Sequence, residues 1–218
     1  MALELMDEHE QGEKVRAWLR QNGGAIIGGV AIGLALIFGY QWWERSKVEH
    51  KLTAASTYQA LADAVEAKDD ATANTLAAEL TDKFADTPYA ALAAMRLAGA
   101  RMQAGNAADA ASTLEKARGA SDDAALQALM DLRLARIEIG EGKAEGALKR
   151  LDGIKDGAFP GLVAEARGDA LFALGRSDDA KTAYQDALTA LDTGAPNRML
   201  VEMKLADLGA APTAQPEV

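Results

Sequence analysis

Two histidines, His9 and His50, and the acidic pairs Asp69-Asp70, Asp122-Asp123 and Asp178-Asp179 are the residues of this chain whose types could do chemistry. A histidine beside carboxylates can hold a metal ion or pass a proton. The histidines flank a long uncharged stretch, residues 23–43, and fall on opposite sides of a membrane if that stretch spans one. They then cannot share a site. Cysteine is absent, which removes thiolate ligands, thiol nucleophiles and disulfides. A histidine cluster, a phosphate-cradling glycine loop and a GxSxG elbow are also missing. The acidic pairs stand beside expected turns, where carboxylates cap helices. No catalytic, metal or cofactor-binding residue emerges, and the chain reads as a non-enzyme that binds other proteins.

The elements that would present such binding begin with residues 23–43, GGAIIGGVAIGLALIFGYQWW. As a helix this run is about 30 Å long, the thickness of a bilayer's hydrocarbon core. Trp18 on one flank and Tyr40, Trp42 and Trp43 on the other suit the membrane interface. The acidic leader before it and Gln41-Trp42-Trp43-Glu44-Arg45 after it do not resemble a cleavable signal, so the run reads as an uncleaved transmembrane anchor. Lys14, Arg16 and Arg20 before it match Arg45, Lys47 and Lys51 after it, so positive charge does not choose a direction. A short leader followed by a long domain favours the amino terminus inside. Gly24, Gly28, Ala31, Ala35 and Gly39 form a small-residue face on which another transmembrane helix could pack closely. Glycine is also simply frequent in membrane helices.

Residues 1–22 form the leader, with a short amphipathic helix carrying Val15, Trp18 and Leu19 on one side and stopping at Asn22-Gly23-Gly24. After a connecting helix over residues 44–53, the sequence repeats. Gly105, Gly142 and Gly175 recur with the same spacings as Ala110, Ala147 and Ala180, and Leu114, Leu151 or Tyr184 follows each alanine by four. Each unit reads as a helix, a turn at the glycine, and a second helix. Gly168-x-x-Leu171, Ala180-x-x-x-Tyr184 and Ala187 resemble the tetratricopeptide repeat. Around Leu97-Ala98 and Leu134-Ala135 the likeness holds, with Arg101 and Glu138 where a large aromatic is expected. A first unit, from about Ala54 to Thr87, keeps Ala73, Ala77, Leu76, Leu80 and Phe84 but has no turn glycine. The run from Arg198 to Leu208, with Met199, Leu200, Met203 and Leu208 near one face, reads as a capping helix. The fold class is therefore all-α: one transmembrane helix, a tetratricopeptide-like array of about four helix pairs and a cap over residues 54–208, then a disordered tail at 209–218.

Net charge is -10, of which residues from Glu44 onward carry about -8, so no basic stripe offers itself to nucleic acid. First helices of repeat arrays line a groove. On that stripe Tyr58, Met95, Met102, Leu132, Arg136, Glu165, Asp169 and Phe172 are candidates for binding a partner, or for packing between repeats.

The order of parts is similar to one family, the YfgM-like ancillary subunits of the SecYEG translocon. The likeness rests on EKVRAWLRQNGG in the leader, the anchor ending YQWW, LRLARI at 132–137, RGDAL at 167–171 and MKLADL at 203–208. What it implies is a single-pass protein of the bacterial inner membrane, amino terminus cytoplasmic and repeat domain periplasmic. Its implied partners are the translocon, a PpiD-like periplasmic chaperone and unfolded secreted clients, with no catalytic residue and no cofactor. Self-association is left open. On physics alone, an anchored repeat domain could equally scaffold another envelope complex, or regulate a stress response through its cytosolic leader.

Overall fold

The computed structural model describes the backbone of residues 2–155 and 157–209, and side chains from residue 12 onward. The described residues form helices α1 (Ala2–Glu66), α2 (Asp70–Lys83), α3 (Pro88–Gln103), α4 (Ala107–Ala120), α5 (Ala124–Gly140), α6 (Ala144–Asp152), α7 (Pro160–Ala173), α8 (Ser177–Ala190) and α9 (Arg198–Asp207), with no strand among them. The all-α expectation holds. Beyond Gly209 the expected tail lies outside the described residues.

By contacts the chain divides into two units between Thr53 and Ala54. The first consists of most of α1, which runs through Asn22-Gly23-Gly24 without a break. The expected leader helix therefore has no end of its own. Asn22 turns its side-chain amide back to the Trp18 carbonyl at 3.0 Å, so it bonds within the helix instead of ending it. A stop at two glycines is a rule for water, whereas a segment in lipid must satisfy every backbone group internally. Residues within α1 are long and apolar enough to cross a membrane, and none of that window is buried. At its far end Lys47 Nζ lies 3.3 Å from the Trp43 ring centroid, a cation–π contact suited to an interface.

The second unit starts inside the last turns of α1. Four helix pairs follow: the end of α1 with α2, which share a core through Leu61, Ala64, Ala73 and Leu80, then α3 with α4, α5 with α6, and α7 with α8. One left-handed residue makes each turn: Lys68 (φ 57), Gly105 (φ 80), Gly142 (φ 77) and Gly175 (φ 74). In each, the N–H after it bonds the carbonyl five residues back, as from Asp69 to Ala64 and from Asn106 to Arg101. Lys68 thus occupies the position that glycine fills elsewhere, which is why the first turn was invisible as a glycine. Asp69 caps α2, and Asp123 caps α5 by accepting from the Ala125 and Leu126 N–H groups, as expected of the acidic pairs.

Alanine sits where the paired helices cross: Ala73, Ala110, Ala147 and Ala180 are all fully buried. Larger residues fill the gaps between successive pairs, as with Leu61, Leu80 and Phe84 against Ala93, and Met95 and Leu114 against Met130 and Leu134. The final gap, around Leu171, Tyr184 and Leu188, is closed by Val201 and Leu205 of α9. This corrects the expected face of the cap. Val201, Leu205 and the partly buried Leu208 recur at intervals of four and three, while Met199, Leu200 and Met203 are exposed.

Candidate functional site

The first helices α3, α5 and α7 pack successively on one another, so the residues they expose share one face of the repeat unit. The eight residues expected on that face divide. Met95 and Leu132 are buried in inter-helix cores, which removes them from an open surface. Tyr58 is partly buried, its ring 5.8 Å from that of Tyr89. Met102 and Phe172 are open to solvent. Spending an exposed aromatic and an exposed methionine on first helices leaves apolar area that a partner segment can cover.

The charged members are organised by contacts that the repeat pattern does not announce. Glu165 is buried, yet it accepts from Lys204 Nζ at 2.9 Å and from the Asn197 amide at 3.0 Å, with Arg136 at 3.5 Å. Asp169 accepts from Lys204 at 2.8 Å and from the Tyr184 hydroxyl at 2.8 Å. Burial, and next the bond to Asp169, raise the Tyr184 hydroxyl well above its usual value, so it stays a donor. Lys204 thereby ties α9 to α7, and two of the candidate residues are holding the cap in place.

A second network was not anticipated. Asp131 on α5 is buried and accepts from Arg118 Nε at 2.6 Å and from Arg150 at 3.3 Å. Arg150 also reaches Glu138 and Glu115, each at 2.7 Å. Burial works against the Arg150 charge, but the bond and charge of Glu138, with Glu115 adding to them, raise its pKa. The bond to Asp131 likewise raises that of Arg118. This cluster joins α4, α5 and α6 through side chains, and nothing in their spacing along the sequence reveals it. Both networks pair their charges across helices, with Glu138 Oε2 left buried and without a hydrogen-bond partner among the described residues, and they are better fitted to fixing helices than to chemistry on a substrate.

On the anchor, Gly24, Gly28, Ala31, Ala35 and Gly39 fall within a sector of roughly 80° at about 100° per residue. A Cβ added at Gly24, Gly28 or Gly39 would meet nothing within 4 Å.

Comparison with known proteins agrees with this architecture. Residues 16–210 match the tetratricopeptide repeat-like domain family. The chain is 32% identical over 205 residues to the ancillary SecYEG translocon subunit of Escherichia coli K12, covering 93% of this chain and 97% of that one. Proteins of the same name from Haemophilus influenzae and Aggregatibacter actinomycetemcomitans are 24% and 25% identical, over 84% and 93% of this chain and 89% and 98% of theirs. Similarity running through anchor and repeats alike, at that identity, places the chain in the family of ancillary SecYEG translocon subunits, with a tetratricopeptide repeat-like domain as its body.

Proposed function

We propose that the chain is a membrane-anchored, non-enzymatic adaptor that associates with the SecYEG translocon and helps pass emerging secreted proteins to periplasmic chaperones. In this reading the leader is cytoplasmic and the anchor packs by its glycine face against the translocon. The repeat domain lies in the periplasm, offering its first-helix face to clients and to a PpiD-like chaperone. The observation that carries it is an apolar stretch of α1 of which none is buried, in a chain whose repeat unit exposes Met102 and Phe172 on first helices. Family membership supplies the translocon as the partner. Photocrosslinking groups placed at Gly28, Met102 and Phe172 in the native membrane test it. Translocon subunits are expected from Gly28, and secreted clients from Met102 and Phe172. Recovery only of division or wall-synthesis proteins would replace this reading with a scaffold for another envelope complex.

A further inference from the structure

A cavity of about 650 Å³ opens between the end of α1, the second half of α3 and Arg133 of α5. Glu66, Met95, Arg96, Gly99, Gln103 and Arg133 line it. From Met95 to Ala104 it follows α3 for about 13 Å, the span of roughly four residues of extended chain. Gly99, Ala100 and Ala104 keep that floor low enough for a backbone to pass.

Arg133 is the unusual group. Every other arginine described between residues 54 and 209 has an oxygen partner: Arg96 on Glu66, Arg101 on Asn74, Arg118 and Arg150 on Asp131, Arg136 on Glu165, Arg167 on Asp152, Arg176 on Asp179 and Arg198 on Glu202. Among the described residues, the polar contact of Arg133 is the Met95 thioether, with Nη1 2.9 Å from Sδ. Sulfur is a weak acceptor, and a guanidinium's planar fork matches a carboxylate. Beside it Arg96 leaves its Nε buried with no hydrogen-bond partner among the described residues. The neighbouring charges do not fill this gap. Glu66 is taken by Arg96 at 2.7 Å, Arg136 is paired with Glu165, and Lys68 and Asp70 in the lining carry opposite charges. Arg133 is exposed at the cavity, and the partial loss of water around its guanidinium, then the nearby charge of Arg136, make its cation less favourable than usual.

We propose that this cavity receives an extended segment of a partner protein and that Arg133 binds the carboxylate of an acidic side chain within it. The proposal rests on the first-helix face being a protein-binding surface, and it names what that surface selects. The occupant is an internal stretch of chain, because the low floor of Gly99, Ala100 and Ala104 continues along α3 from beside Arg96 and gives the bound segment room to run on past the carboxylate. In a domain whose net charge is strongly negative, this places one unpaired cation where an incoming acidic residue meets attraction.

The test uses the full chain in detergent micelles and three fluorescent twelve-residue peptides, read by anisotropy. All share one alanine, leucine and serine background. The first has a central Glu and an amidated end, the second a central Gln and an amidated end, the third the same Gln and a free carboxyl end. The first should bind about tenfold tighter than the second, and Arg133→Gln should abolish that difference. Gly99→Met fills the channel and should weaken both amidated peptides, which keeps the site testable should Arg133→Gln perturb folding. Equal binding of the two amidated peptides would overturn the carboxylate assignment and leave the groove standing. Failure of all three to bind would overturn the groove as well. Tight binding of the third peptide alone would overturn the internal side chain in favour of a terminal carboxylate.

Discussion

Asp69 closes the first turn of α2 by accepting from the Thr72 N–H at 3.1 Å and the Thr72 hydroxyl at 2.6 Å. The hydroxyl bond first, and the backbone bond next, lower its pKa from 3.8. A carboxylate with a depressed folded pKa adds stability above its unfolded pKa and loses it as pH falls through the folded one. Below about pH 3.8 this cap should therefore weaken. Asparagine caps comparably without titrating. Asp69→Asn is expected to leave the neutral-pH melting temperature nearly unchanged and to flatten its decline as the pH falls below about 3.8, measured by circular dichroism. An unaltered acid limb would show that Asp69 contributes nothing there. The cap was legible in the sequence because its partners lie three residues away. Glu165, Asp131 and Lys204 were not legible in that role, since their partners are far along the chain: the packing of α9 on α7 brings Lys204 to Glu165, and that of α4 and α6 on α5 brings Arg118 and Arg150 to Asp131.

At the scale of elements, the tight crossing of α7 and α8 is decided by Gly168 and Tyr184. A Cβ at residue 168 would have three atoms of the Tyr184 ring at 3.0 Å or closer, and that ring is buried and fixed by its bond to Asp169. Gly168→Ala must push the helices apart or turn the ring from its rotamer, at a cost of about 1–3 kcal/mol. Its midpoint in urea should fall, whereas Gly99→Ala, where a Cβ meets nothing within 4 Å, should change it little. Equal effects from the two would deny that close approach sets the need for glycine at 168. The repeat spacing announced this pair correctly. It also misplaced the cap's inner face, because α9 is short and several apolar residues compete for inward positions. Val201 and Leu205 won since Lys204 anchors the helix to Glu165 and Asp169, which fixes its rotation and turns Met199 and Met203 outward.

For the whole molecule, the anchor face carries its own prediction. Gly24→Leu with Gly28→Leu adds bulk at positions where an added Cβ meets nothing within 4 Å among the described residues. Association with a membrane partner should weaken severalfold in detergent pull-downs, while the repeat domain melts as before. Undiminished recovery of partners would mean that these glycines are not a packing face. The sequence by itself determined the anchor, the all-α class and the repeat period, since each is written in local properties: twenty or so uncharged residues, a helical period, and small residues at regular spacing. It did not determine that α1 runs unbroken through two glycines. Nor did it reveal that Lys68 takes a left-handed turn, or that Met95 and Leu132 are core while Met102 and Phe172 are surface. Those were decided by tertiary structure, because a residue's exposure depends on which neighbouring helix reaches it. Arg133 shows this most directly: whether an arginine has a partner is fixed only once all the helices around it are in place.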